Sequence, residues 1–189
     1  MKKKIFVCAF IAVCLSIVAY GTTAYFTYDE KATNVITAGN IKIELQEWTV
    51  TEAGIARVSN GEEVDVLPGI EVSRIVKVKN IGMKTAWIRV SVEKSLTLAE
   101  NVSGTADASL VSYDLNTDYW MEKDGYYYYK EELEPGEITE NLFTKVIFSP
   151  AMNDMYQQSK AIIDVSAQAT QFVNNGTDVF EAAGWPNAD

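Results

Sequence analysis

The sequence predicts an all-β fold: an antiparallel, jelly-roll-like β-sandwich with one or two short helices, preceded by a helical signal peptide. Three observations carry this. Several segments alternate apolar and polar residues with period two, turn dipeptides separate them, and helical periodicity is confined to two short stretches. At 189 residues the chain suits one domain of ordinary size.

The N-terminus comes first. Lys2, Lys3 and Lys4 precede an apolar run over residues 5–20, and Gly21-Thr22-Thr23-Ala24 follows. This is the charged, apolar and small-residue order of a secretory signal, with cleavage expected between Ala24 and Tyr25. The run is short of the roughly 20 residues that span a bilayer. Counting on through Phe26 lengthens it with Gly and Thr interruptions, so an uncleaved anchor is the competing reading. A lipoprotein signal needs a small residue before Cys14, where Val13 stands. Cleavage after Ala24 shortens the 189 residues to 165, and three positive charges leave, so a net charge of −10 becomes −13. So acidic a protein repels nucleic acid and anionic lipid. The end of the chain, Gly184-Trp185-Pro186-Asn187-Ala188-Asp189, carries no apolar tail or sorting motif. The cleaved protein is therefore expected outside the cell or on its surface, its precursor only transiently at the membrane.

After the leader comes an arm, residues 25–34, too polar beyond its first residues to be core. It opens with Tyr25, Phe26, Thr27 and Tyr28 and continues Asp29-Glu30-Lys31-Ala32-Thr33-Asn34. A free segment of this kind can add to an unprotected sheet edge. The sandwich is expected over 35–176 and a short C-terminal helix and tail over 177–189.

Within the sandwich, Ile41-Lys42-Ile43-Glu44-Leu45 places three aliphatic residues on one face and two charges on the other. Val72, Arg74, Val76 and Val78 share the next such face, with Arg74 the one misfit. Ile88, Val90 and Val92 repeat the pattern, as do Ile163, Val165, Ala167 and Ala169. Pro68-Gly69 and Pro135-Gly136 suit the central positions of type II turns. Asn80-Ile81-Gly82 is expected to close one hairpin, and Lys123-Asp124-Gly125 to join residues 120–122 to the tyrosine run 126–129. Roughly seven to nine strands result, with helix expected only at 152–158 and 178–183. Residues 93–116 show weak periodicity and read as a long surface connection holding a short strand at 110–113.

Composition excludes most catalytic chemistry. The chain has no histidine, and both cysteines, Cys8 and Cys14, lie in the leader. The mature domain therefore has no disulfide, no thiol nucleophile, and no imidazole for a triad or a zinc site. Asp114-Leu115-Asn116-Thr117-Asp118 begins like a calcium loop, but Tyr119 replaces the required glycine and Gly125 the closing glutamate. No metal and no cofactor are expected. Neither HExxH nor GxSxG occurs, a Ser-Lys dyad has no local signature, and the acid pairs Glu62-Glu63 and Glu131-Glu132 read as solvated turns. The chain is thus read as a non-enzyme. Trp120, Tyr126 and Tyr128 are the candidate aromatic contact surface, able to offer ring faces to sugars or another subunit; ordinary cross-strand packing is the alternative.

The junction Gly21-Thr22-Thr23-Ala24-Tyr25-Phe26, with Thr37-Ala38-Gly39-Asn40-Ile41-Lys42-Ile43 after it, resembles the TasA and camelysin family. Leu67-Pro68-Gly69, then Val76, Val78, Asn80 and Gly82, and finally Ala167-Gln168-Ala169-Thr170-Gln171 extend the likeness over most of the mature chain. Phe180-Glu181-Ala182-Ala183-Gly184-Trp185 is similar to the clostridial biofilm-pilin type. The resemblance implies a jelly roll, cleavage by a SipW-like signal peptidase, and secretion. It also implies self-assembly into biofilm matrix fibres of Gram-positive bacteria, by donation of an N-terminal strand to the next subunit. An accessory matrix protein or a polysaccharide would be a further partner. Camelysin members are also described as surface metallopeptidases; without histidine, no position here matches that activity. A monomeric polysaccharide-binding module is the remaining alternative.

Overall fold

A computed structural model describes residues 35–37, 41–59 and 61–186. Among these are twelve strands: β1 (Val35–Thr37), β2 (Ile43–Thr51), β3 (Gly54–Arg57), β4 (Glu63–Asp65), β5 (Glu71–Ser73), β6 (Ile75–Asn80), β7 (Ala86–Thr97), β8 (Val111–Tyr113), β9 (Trp120–Lys123), β10 (Tyr126–Tyr129), β11 (Lys145–Phe148) and β12 (Lys160–Gln171). The count exceeds the seven to nine expected. Three-residue edge strands such as β4 and β8 are too short for period two to reveal, and Arg74 divides one predicted strand into β5 and β6.

One sheet runs β1-β12-β7-β10-β9, with β4 also on β12. β7 and β12 pair antiparallel along their whole length, from Ala86↔Gln171 to Thr97↔Lys160. β1 instead lies parallel on β12, Val35 beside Ala167 and Thr37 beside Ala169. The other strands form β3-β2-β6 and β5-β11-β8. Residues 137–144 bridge these two: Asn80 N–H donates to Glu137 C=O at 2.9 Å, Leu142 N–H to Val76 C=O at 2.8 Å, and Arg74 N–H to Thr144 C=O at 2.9 Å. The all-β, predominantly antiparallel character is therefore as expected.

The alternation read from sequence places the core. Ile43 and Leu45 of β2, Val76 and Val78 of β6, Ile88 and Val90 of β7, and Ile163, Val165, Ala167 and Ala169 of β12 are all buried in one cluster. Fully burying each such Val, Leu or Ile side chain contributes roughly 1.5–3 kcal/mol. A second, smaller cluster lies elsewhere, with Trp87, Tyr128, Val179 and Ala182 at its centre.

The turns follow their dipeptides with one exception. Gly69 and Gly136 have φ of 76° and 89°, as the third position of a type II turn requires. Asp124 and Gly125, at φ 52° and 78°, form the two-residue loop that gives the β9–β10 hairpin its twist. Asn80-Ile81-Gly82 does not close a hairpin. β6 and β7 belong to different sheets, and this segment carries the chain between them. The buried Asn80 side chain holds the corner, donating to Lys84 C=O at 2.8 Å and Leu133 C=O at 2.9 Å and accepting from Gly82 N–H at 2.9 Å. A Cβ at Gly82 would stand 2.9 Å from the Lys42 nitrogen, so close approach requires glycine there.

Both expected helices shrink. Over 152–158 only a 3-10 turn, Asp154–Tyr156, forms, capped by Asn153, whose side chain accepts from Met155 N–H. Residues 178–183 hold a turn at 179–181 and no helix, pinned by Asn175: its carboxamide accepts from Ala183 N–H at 2.8 Å and donates to Ala183 C=O at 2.9 Å and Gln171 C=O at 2.7 Å. Such side-chain bonds compete with the helical ladder. Residues 93–97, expected as connection, extend β7 instead, because β12 offers them partners; the strand expected at 110–113 is β8.

Candidate functional site

The expected cleavage pair Ala24 and Tyr25, and the arm residues Tyr25, Phe26, Thr27 and Tyr28, lie outside the described residues. The described chain begins at β1, an edge strand three residues long on β12.

The three aromatic candidates separate by parity along the β9–β10 hairpin. Trp120 points inward and is 1 % exposed; its Nε1–H donates to Glu140 C=O at 3.1 Å and its ring lies 5.0 Å from that of Tyr129. It belongs to the core, which corrects its reading as contact surface: Trp120 and Tyr129 are register partners, so both turn the same way. Tyr126 and Tyr128 face the opposite side. Arg89, directly opposite Tyr128 on β7, carries no motif in the sequence, yet it organises this face. Its guanidinium carbon sits 3.9 Å from the Tyr126 ring centre and 4.6 Å from that of Trp185. Its Nε donates to Gln168 Oε1 at 2.7 Å, Nη1 to the Tyr128 hydroxyl at 3.3 Å and Nη2 to Pro186 C=O at 3.4 Å.

Residues 172–186 thus fold back over the sheet. Phe172 packs edge-on to Trp87 at 4.8 Å, and Phe180 and Trp185 flank Tyr128 at 5.1 and 5.8 Å. The tyrosine rings meet the chain's own arginine and C-terminal segment, the sort of cation–π and edge contacts that stabilise a closed face. Trp87 in an outward slot of its strand is the available signal, since a large aromatic there needs a cover.

A second polar centre is buried between the sheets. Arg74 and Glu47 are 2 % and 4 % exposed. Arg74 Nη2 and Nε donate to Glu47 Oε2 at 2.5 and 3.0 Å, and Nη2 also reaches Ile163 C=O at 2.8 Å. Arg74 is the misfit of its predicted strand face; its partner is legible too, because Glu47 continues the inward series of Ile43 and Leu45. Burial pushes the Glu47 carboxyl above its ordinary value of 4.5, with Arg74 pulling back by charge and hydrogen bond. A carboxyl raised in the folded state favours folding below 4.5, and that contribution is lost as pH rises through its raised value. The urea midpoint is therefore expected to fall more steeply with pH above 4.5 in the parent than in Glu47→Gln. Denaturation at several pH values checks this, and equal slopes would refute it.

Asp114, at the head of the calcium-like segment, serves the backbone: its carboxylate accepts from Thr144 N–H at 2.8 Å, Lys145 N–H at 2.6 Å and the Thr144 hydroxyl. Glu62, Glu63, Glu131 and Glu132 are exposed. Among the described residues no three His, Cys, Asp or Glu side chains converge as a metal site. No helix among them is long and apolar enough to cross a membrane.

Comparison of the chain with protein-family models, curated proteins and solved structures finds no match.

Proposed function

We propose that this protein is a secreted structural subunit of extracellular biofilm matrix fibres, released by a SipW-like signal peptidase at Ala24–Tyr25. It polymerises when the arm, Tyr25, Phe26, Thr27 and Tyr28 onward, adds as a strand to a neighbouring copy. The sandwich is read as a jelly roll, and the assembly as a homopolymer to which an accessory matrix protein or polysaccharide attaches. The precursor waits at the membrane until cut, so processing and assembly are coupled.

The observation that supports this reading most directly is β1. The first described segment after the arm is an edge strand of three residues on a twelve-residue strand. Three residues of strand pairing hold β1 only weakly, and a sheet margin is where exchange of a strand between copies costs least. The polysaccharide-module alternative is weakened by the enclosure of Tyr126 and Tyr128 around Arg89.

Deleting residues 25–34 from the exported protein is expected to abolish fibres seen by electron microscopy while leaving the sandwich folded. Fibres at the parental yield would sink the arm as donor.

A further inference from the structure

Subunits of net charge −13 repel one another, so a homopolymer needs a local face of opposite character. The outer side of β3-β2-β6 is such a face. β2 and β6 turn alternate residues outward, so that Trp48 stands beside Ile75, Gln46 beside Lys77 and Glu44 beside Lys79. β3 adds Arg57 beside Trp48 and Ile55 beside Val50. The apolar part is exposed: Ile55 is 69 % and Val50 57 % accessible, and Ile138, bridged to Lys79, lies partly open. Trp48, Ile55, Ile75 and Ile138 line one shallow groove together with Lys77. Three cations, Arg57, Lys77 and Lys79, face one acid, Glu44, which Arg57 meets at 3.2 Å.

Resting on the strand-donation reading above, we infer that the free edge of β3, with the groove beside it, is the acceptor for residues 25–30 of a second copy. The segment Tyr25-Phe26-Thr27-Tyr28-Asp29-Glu30 pairs aromatic residues with two acids. As an added strand it sets Phe26, Tyr28 and Glu30 on one face, beside Ile55 and Arg57, so that the acid meets the cation of β3. Among the described residues β3 pairs only with β2, so its other edge carries no strand. Three other margins suit an acidic arm less well. β4 presents Glu63 and Asp65, β9 carries Glu122 between Asp118 and Asp124, and Val111 C=O of β8 takes the Lys94 ammonium at 2.6 Å.

The test uses exported protein expressed from the full chain. Ile55→Glu is expected to keep its thermal transition, since Ile55 is exposed, but to form no fibres or to need at least a tenfold higher concentration. The 25–34 deletion is also expected to fail. Mixing the two should give a 1:1 heterodimer by light scattering, the arm of the first seated on the intact β3 of the second. Fibres from Ile55→Glu at parental yield, with the deletion still inactive, would overturn β3 as acceptor and leave strand donation standing. Fibres from the deletion protein would overturn both. A mixture that stays monomeric would show the arm bound elsewhere or to its own chain, and overturns the assignment. If Ile55→Glu misfolds, Arg57→Glu replaces it. Loss of fibres by Arg57→Glu, restored by Glu30→Lys in the same chain, supports the assignment, and no loss refutes it.

Discussion

Replacing Glu47 by leucine while keeping Arg74 is expected to lower the unfolding free energy by about 3–5 kcal/mol, because a guanidinium would remain buried without its counter-charge. Arg74 cannot swing to water: it is 2 % exposed, and its Nη2 is tied to Ile163 C=O of β12. Among the described residues its Nη1 already has no acceptor. The double change Glu47→Leu with Arg74→Met should recover most of the loss, since exchanging a buried ion pair for apolar residues of similar size is often neutral or favourable. Urea denaturation of the three proteins decides the matter. A single substitution costing under about 1 kcal/mol would mean that water reaches the pair, contrary to its burial.

Trp120→Ala is expected to cost about 3–5 kcal/mol, the range for deleting a large buried aromatic side chain. The indole fills space against Tyr129, and its removal leaves Glu140 C=O without its donor as well. Were Trp120 a contact residue, the same change would weaken binding or assembly and leave the melting temperature nearly unchanged. Differential scanning calorimetry separates the two: a shift of less than about 3 °C would return Trp120 to the surface.

Much of the fold is legible along the chain because local chemistry repeats it. Period-two alternation in 41–45, 72–79, 87–92 and 163–170 marks the strands and their buried faces. Pro-Gly at 68–69 and 135–136 and Asp124-Gly125 mark turns whose dihedral angles follow directly from those residues. Asn80-Ile81-Gly82 misleads because the same residues that close a hairpin also serve a corner between sheets; the choice depends on Leu133 and Lys42, distant in sequence. The helix expected at 178–183 fails for a related reason, with Asn175 taking both backbone groups of Ala183 eight residues away; at 152–158 only the turn Asp154–Tyr156 forms.

The candidate site is legible only in part. The hairpin of Trp120, Tyr126 and Tyr128 is visible as an aromatic concentration, but which rings face the core depends on register with β7, and which rings are covered depends on residues 172–186. Arg89 gives no warning, since a cation in an outward strand slot ordinarily meets water. Strand identity, turn positions, the absence of histidine and the confinement of cysteine to Cys8 and Cys14 are properties of neighbouring residues and of composition, and so are written along the chain. The partnering of strands, the burial of Arg74 with Glu47 and the folding of the C-terminal segment over Arg89 arise from contacts tens of residues apart. Such contacts depend on chain-closure entropy and on the fit of whole surfaces, so they exist only once the chain has folded.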